Sequence, residues 1–188
     1  MTRLLGLLTV LVVTLGGVAP LAPAEARDVP TREQWIKDVN QVMKGSGKYL
    51  TERTESVGID EKLAINLDID NSSIASYYDG PDAGAIPRIL KYAELARSKG
   101  VALVFNTGRS ADQRDRTLTQ LTNAGYEVTL LCLRKKGETI RHGKQRCRNK
   151  FIKKGYTLIA NVGNNPTDFT GDGYEKAYRL PNYGGELG

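Results

Sequence analysis

Histidine occurs once in these 188 residues, tryptophan once and cysteine twice. One histidine excludes zinc sites built from several imidazoles and leaves a cysteine–histidine hydrolase without partners to spare. The cysteines, Cys132 and Cys147, can form one disulfide or stay as two separate buried thiols, since nothing in the sequence sets their distance. No internal repeat is visible, so a repeat architecture is not expected. The chain has room for one domain with a real hydrophobic core.

The one long apolar run, Leu4 to Leu21, follows Arg3 and ends in Ala24-Glu25-Ala26 before Arg27. That layout reads as a secretory signal peptide over residues 1–26 with an A-x-A cleavage site. A membrane anchor is allowed by length, but the glycines, the prolines and the A-x-A weigh against it. No cysteine lies near the cleavage point to carry a lipid. We therefore expect export and no stable membrane span once the signal is removed. Losing Arg3 and Glu25 from 27 basic and 21 acidic residues leaves the chain basic. Between Arg134 and Lys154 the basic residues face Glu138 alone. Such a run suits a solvated helix face, the wall of a site for anionic substrates, or a nucleic-acid patch. Nucleic acid is not the expected partner, because no stacking aromatics are interleaved.

Hydrophobic periodicity then sets the elements. Thr31-x-x-Gln34 reads as a capping box, and Trp35, Val39, Val42 and Met43 recur at helical spacing up to Gly45-Ser-Gly47, giving one helix within an N-terminal extension over 27–60. Lys62 to Ile69 is apolar on nearly every residue, as in a strand buried on both faces. Pro87 opens a helix with Ile89, Leu90, Ala93 and Ala96 on one stripe and Gly100 as its stop. Val101 to Phe105 is the next strand, Ser110-x-x-Gln113 caps a helix ending near Gly125, and Val128 to Leu133 follows as a strand. Lys144 to Lys154 reads as a basic helix closed by Gly155, Tyr156 to Val162 as a fourth strand, and Ala177 to Leu180 as a short fifth. The alternation predicts an α/β domain over 61–188 with a mostly parallel sheet and helices on both faces. Ligands in such sheets bind beyond the carboxyl ends of the strands, where Asp68, Asn106-Thr107 and Gly163-Asn164 fall.

Asp68-Ile-Asp70-Asn-Ser72 ends the first strand. Residues i and i+2 of a strand share a face, so both carboxylates should point the same way. Such a pair resists double ionisation unless a cation sits between them or one holds a proton. Thr107 offers a hydroxyl beside backbone amides, Lys144 a compact cation, and Asn164 and Asp168 further hard oxygens of the kind magnesium takes.

In order and spacing this set resembles the haloacid dehalogenase (HAD) superfamily, and within it the secreted acid phosphatases related to plant vegetative storage proteins. Asp68-Ile-Asp-Asn-Ser72 looks like the first motif, D-x-D-x-[TS], and Thr107-Gly-Arg109 like the second. Lys144 ahead of Gly155-Tyr156 looks like the third, Gly163-x-x-x-x-Asp168 like the fourth, and Arg179-Leu-Pro-Asn-Tyr183 like the closing K-L-P-N stretch. Tyr77-Tyr78 fits the same subfamily. The resemblance implies a three-layer Rossmann-like core and a magnesium-dependent phosphomonoesterase. Asp68 would be the nucleophile, forming an aspartyl-phosphate, and Asp70 the acid and base. Thr107, Gly108 and Lys144 would hold phosphate, and Asp68, Asp70 through its carbonyl, Asn164 and Asp168 the Mg2+. The substrate would be a small-molecule or lipid phosphoester. The spacing between motifs leaves no room for a large cap domain, so the site is open unless the helix around Trp35 folds over it.

One position departs from the pattern. The superfamily usually has an acid where this chain has Asn164, and the lipin-type phosphatidate phosphatases look similar there. An amide keeps an oxygen ligand but removes a charge, so metal should bind more weakly. Alternatives are therefore a catalytically weak binding or storage protein on the same fold, and, from the basic run, a polynucleotide end phosphatase. Arg141-His142-Gly143 resembles the R-H-G of histidine phosphatases, but that chemistry needs a second histidine.

Overall fold

In the computed structural model, which describes residues 29–188, the chain enters through helix α1 (Arg32–Val42), whose first turn is capped by the Thr31 hydroxyl accepting from the Gln34 amide at 3.3 Å. The Gln34 side chain donates to Asp38, and only half of the expected capping box forms. The expected signal peptide lies outside the described residues. Two helices precede the first strand, where the periodicity pointed to one. Gly45, at φ 79°, swings the chain directly into α2 (Ser46–Glu55), a turn that a residue with a Cβ resists. Only Ser46 and Leu50 of α2 are buried, so its apolar stripe was too thin to read.

The rest alternates as expected: β1 (Lys62–Leu67), the single turn α3 (Ser76–Asp79), α4 (Pro87–Ser98), β2 (Ala102–Ser110), α5 (Arg114–Asn123), β3 (Leu130–Arg134), α6 (Ile140–Lys153), β4 (Tyr156–Gly163) and β5 (Lys176–Arg179). The strands form one sheet in the order β3-β2-β1-β4-β5, parallel at every pairing. Right-handed crossovers in such a sheet put the ends of the central strands side by side at one edge. β1, between β2 and β4, delivers its carboxyl end to the middle of that edge.

The two faces are covered unequally. Leu63, Ile65, Leu67, Leu103, Phe105, Leu131 and Ile159 pack with Trp35, Val39, Leu50, Ile89 and Leu121 of α1, α2, α4 and α5. The alternate positions, Ala64, Val104, Cys132 and Leu158, pack with Cys147 and Phe151 of α6. Strand pleating thus produces two cores from continuous apolar runs. On the α6 face Cys132 and Cys147 form a disulfide, with Cα atoms 5.7 Å apart, which pins α6 to β3. Trp35 is fully buried and stacks on Tyr78 at 4.8 Å between ring centroids. Arg32 pairs with Asp79 in α3 at 2.8 Å. The N-terminal helix is therefore packed into the larger core as structure. Among the described residues no helix is long and apolar enough to cross a membrane.

Two boundaries moved for identifiable reasons. β2 runs on through Asn106-Thr107-Gly108 to Ser110, its pairing with β3 breaking after Asn106 and resuming at Ser110 opposite Arg134. α6 begins at Ile140 because Thr139 caps it, accepting from the His142 amide. Arg141 and His142 are thus exposed residues of a helical first turn.

Candidate active site

β1 stops at Leu67, but the Asp68 amide still donates to the Val162 carbonyl of β4 at 2.9 Å. Beyond it the chain coils tightly: the Ser72, Ser73 and Ile74 amides all converge on the Ile69 carbonyl, and the Ser73 hydroxyl bonds the Asp68 carbonyl at 2.5 Å. The Asp68 side chain is held inward at the sheet edge. Lys144, one turn into α6, donates to Asp68 Oδ1 and lies 2.6 Å from Asp168 Oδ1. The Ser72 hydroxyl donates to Asp68 Oδ2 at 2.8 Å and contacts Asn164 Oδ1 at 3.2 Å. Three of the four sequence regions singled out for chemistry therefore converge on one carboxylate.

Burial raises the Asp68 carboxyl, and the charge of Asp70 is felt there, adding to that rise. Asp70 itself takes a bidentate pair from Arg109, at 2.8 Å from Nε and 2.7 Å from the terminal nitrogen. That guanidinium is fixed in turn by Gln120 Oε1 at 2.8 Å. In sequence Arg109 is only the last letter of the second motif; its pairing with Asp70 depends on the fold bringing β2 beside the loop after β1.

The central cluster carries two carboxylates and one ammonium, all nearly excluded from water: side-chain exposures are 10% for Asp68, 2% for Asp168 and 3% for Lys144. Burial pushes the Asp68 carboxyl up to about 6, with the charge of Asp168 adding to the rise and Lys144 opposing it. Burial also works against the Lys144 ammonium, but Asp68 and Asp168 outweigh it and its pKa rises. The excess negative charge calls for a further cation. The available donors are hard oxygens: the Asp68 and Asp168 carboxylates and the Asn164 amide. Asp168 Oδ1 is buried and, although in charge contact with Lys144, has no well-directed hydrogen bond. Among the described residues no three acid, histidine or cysteine side chains gather as a metal site, and the third oxygen donor here is the Asn164 amide. The set nonetheless fits Mg2+, which takes one or two carboxylates and completes its octahedron with water and substrate oxygens.

Second contacts fix these groups. Asp168 Oδ2 accepts from the Asn165 amide at 2.9 Å, and a side chain at Gly163 would bring a Cβ within 2.6 Å of the Asp168 carboxyl carbon, so only glycine allows that approach. Asn164 Nδ2 donates to the Leu187 carbonyl at 3.2 Å, leaving Oδ1 toward Ser72. Arg148, fully buried one turn beyond Lys144 on the same face of α6, donates to the carbonyls of Asp168 at 2.8 Å, Asp172 at 3.0 Å and Thr170. Lys144 and Asn106 clasp each other, Lys144 Nζ bonding the Asn106 carbonyl at 2.7 Å and Asn106 Nδ2 the Lys144 carbonyl at 2.9 Å. Asn66 of β1 donates to Asn161 of β4, which donates to the Asp168 carbonyl at 2.9 Å. The sequence places Asn106 at a strand end beside Thr107, but gives no such sign for Asn66, Asn161 and Arg148, although Asn66 and Asn161 interrupt apolar strands and Arg148 stands four residues from Lys144. Thr107 is buried and its hydroxyl oxygen accepts from the Arg109 amide at 3.1 Å, so its own proton is available to a ligand. Gly108 presents its carbonyl to Arg134 at 3.0 Å.

The sequence model of the HAD superfamily, subfamily IIIB (acid phosphatase), matches residues 77–186. The chain belongs to that family. The matched stretch holds the second to fourth motifs of this HAD chain, and Asp68 and Asp70 lie ahead of it. Among curated proteins, acid phosphatase 1 of Solanum lycopersicum is 24% identical over 156 residues, covering 80% of this chain and 58% of that protein. A stem 31 kDa glycoprotein of Glycine max is 29% identical over 107 residues, covering 54% of this chain and 42% of the relative. The chain thus spans about half the length of these relatives. Among solved structures, a tungstate-bound class C acid phosphatase from Bacillus anthracis superposes with a TM-score of 0.65 at 20% identity, over 81% of this chain and 79% of that one. That likeness establishes the three-layer α/β HAD fold.

Proposed function

We propose that this chain is a magnesium-dependent phosphomonoesterase that works through an aspartyl-phosphate on Asp68. The observation that carries the reading is the buried Asp68–Lys144–Asp168 cluster at the carboxyl end of β1, two carboxylates against one ammonium. Asp68, Asn164, Asp168 and the Asp70 carbonyl would hold the metal. Bound there, magnesium would offset the negative charge a phosphate brings to a carboxylate and polarise a phosphoryl oxygen.

The chain's own groups supply the rest. An Asp68 carboxylate oxygen attacks phosphorus, and the bond to the leaving oxygen breaks as Asp70 delivers its proton there. A protonated Asp70 still has an acceptor oxygen for Arg109, so the guanidinium can hold the acid while its hydroxyl faces the leaving oxygen. Thr107 donates its hydroxyl to a phosphoryl oxygen, the Gly108 segment places backbone amides nearby, and Lys144 supplies fixed positive charge. Water then attacks phosphorus, Asp70 takes its proton, and the Asp68 carboxylate is restored. The disulfide suits an oxidising compartment, consistent with an exported protein. The relatives' names support the phosphatase reading, acid phosphatase among them.

Turnover of p-nitrophenyl phosphate that requires magnesium and disappears in Asp68→Asn is the expected result; activity surviving that substitution removes the proposed nucleophile. Asn164, together with likeness to stem glycoproteins, favours a second reading, a phosphate-ester binding protein without turnover. Inorganic phosphate bound at saturating magnesium, with no hydrolysis of any common ester, would establish it.

A further inference from the structure

A cleft of about 370 Å3 opens on the outer side of Asp70, lined among others by Arg109, Gln113, Arg116, Thr117 and Gln120. Because Asp70 protonates the leaving oxygen, the alcohol of a bound ester must extend to its side of the site. This cleft adjoins that acid. Asp70 is the one acidic residue in its lining, against the guanidiniums of Arg109 and Arg116. Arg109 is committed to Asp70. Among the described residues Arg116 has no ion-pair or hydrogen-bond partner, and Gln113 spends only its Oε1, on the Ser110 amide. The cleft lining contains no aromatic ring, so nothing there stacks on a nucleobase.

We infer that the cleft around Arg116 is a leaving-group subsite for alcohols that carry a second anionic group, a phosphate or a carboxylate. The inference rests on the phosphatase reading and narrows its substrates to bisphosphates and phosphorylated hydroxy acids. Arg109 tethers the acid, while Arg116 and the Gln113 amide are the free donors that meet the second anion.

The test measures kcat/KM for fructose 1,6-bisphosphate, 3-phosphoglycerate, glycerol 2-phosphate and adenosine 5′-monophosphate with the wild-type chain and with Arg116→Gln. The two doubly anionic esters should be preferred by roughly tenfold, as fits charge contacts partly screened by water. Arg116→Gln should erase that preference through KM, with kcat little altered, and salt should weaken it in the wild type. A preference confined to the bisphosphate marks a phosphate subsite, and one shared with 3-phosphoglycerate a site that reads charge alone; both support the inference. Equal rates for all four esters, or a preference that survives Arg116→Gln, overturn it and leave the phosphatase reading standing. Turnover of none overturns both.

Discussion

Exchanging the amide for an acid with Asn164→Asp should harm the metal-free protein and help the metal-bound one. The amide makes two contacts that a carboxylate cannot both keep: Nδ2 donates to the Leu187 carbonyl at 3.2 Å, and Oδ1 meets the Ser72 hydroxyl at 3.2 Å. The Leu187 carbonyl would keep its bond from Asn71 Nδ2 at 2.5 Å, but the new carboxylate oxygen facing it would be buried without a donor, at a cost of about 1–3 kcal/mol. Ser72 also bonds Asp68 at 2.8 Å. The new charge would therefore lie within ~6 Å of the Asp68 carboxylate, a repulsion of roughly 3 kcal/mol at an effective dielectric near 20. The two penalties total about 4–6 kcal/mol, and partial protonation of the cluster trims them to about 3–4. For a domain of this size that is a fall in Tm of roughly 10 °C in EDTA. Magnesium reverses the Coulomb contribution, so affinity should rise at least about tenfold, seen as a larger stabilisation per unit of added metal. Thermal melts of both proteins in EDTA and along a magnesium titration read both effects. A variant as stable as wild type in EDTA, with no greater response to magnesium, would refute the placement of Asn164 beside the cation site.

Three further outcomes follow from the same structure. Arg148→Met removes a buried guanidinium that holds three carbonyls of the loop carrying Asp168, so the urea midpoint should fall by the equivalent of about 3 kcal/mol and the magnesium response should weaken; an unchanged midpoint contradicts the strut role. Reducing Cys132–Cys147, which closes a separation of 15 residues, should cost about 3 kcal/mol and lower Tm by roughly 6–12 °C, whereas a melt indifferent to reductant argues against the bridge. Arg146 holds the Glu138 carboxyl down to about 2, below its unfolded value, so the stabilisation is present above the ordinary carboxylate range and is lost as pH falls through that range toward 2; Glu138→Gln should lower Tm at pH 7, with the deficit gone near pH 2, and a deficit equal at both pH values would show that the ion pair is not its source.

Much of the architecture was legible because local signals agreed with one another. Pro87 and Gly100 bracket α4, the Ser110–Gln113 capping box forms with both of its bonds, and the strand runs are continuous because helices cover both faces. α2 was not legible, since its burial rests on Leu50 and a seryl N-terminus, too little to make a stripe. The early start of α6 depended on Thr139, which a run of charges overshadowed. At the site, the motif residues Asp68, Lys144, Asn164 and Asp168 do meet, because the strand order places β1 against β4 and α6 packs across β2 and β4. What sequence could not show is partnership at a distance. The Asp70–Arg109 pair, the Asn164–Leu187 bond and the grip of Arg148 on the loop after Asp168 all join residues on separate elements. The basic run illustrates the point: Lys144 and Arg148 are buried, while Arg141, Lys150, Lys153 and Lys154 are exposed.

Asp68 is the proposed nucleophile. The most direct measurement is mass spectrometry of peptides from protein quenched in acid during turnover of a phosphomonoester with magnesium, with Asp70→Asn used to slow hydrolysis of the intermediate. A phosphoryl group on the peptide that contains Asp68, absent in Asp68→Asn, is the predicted result. Sustained turnover with no phosphorylated Asp68 peptide, or with the phosphoryl group on another residue, would contradict the account.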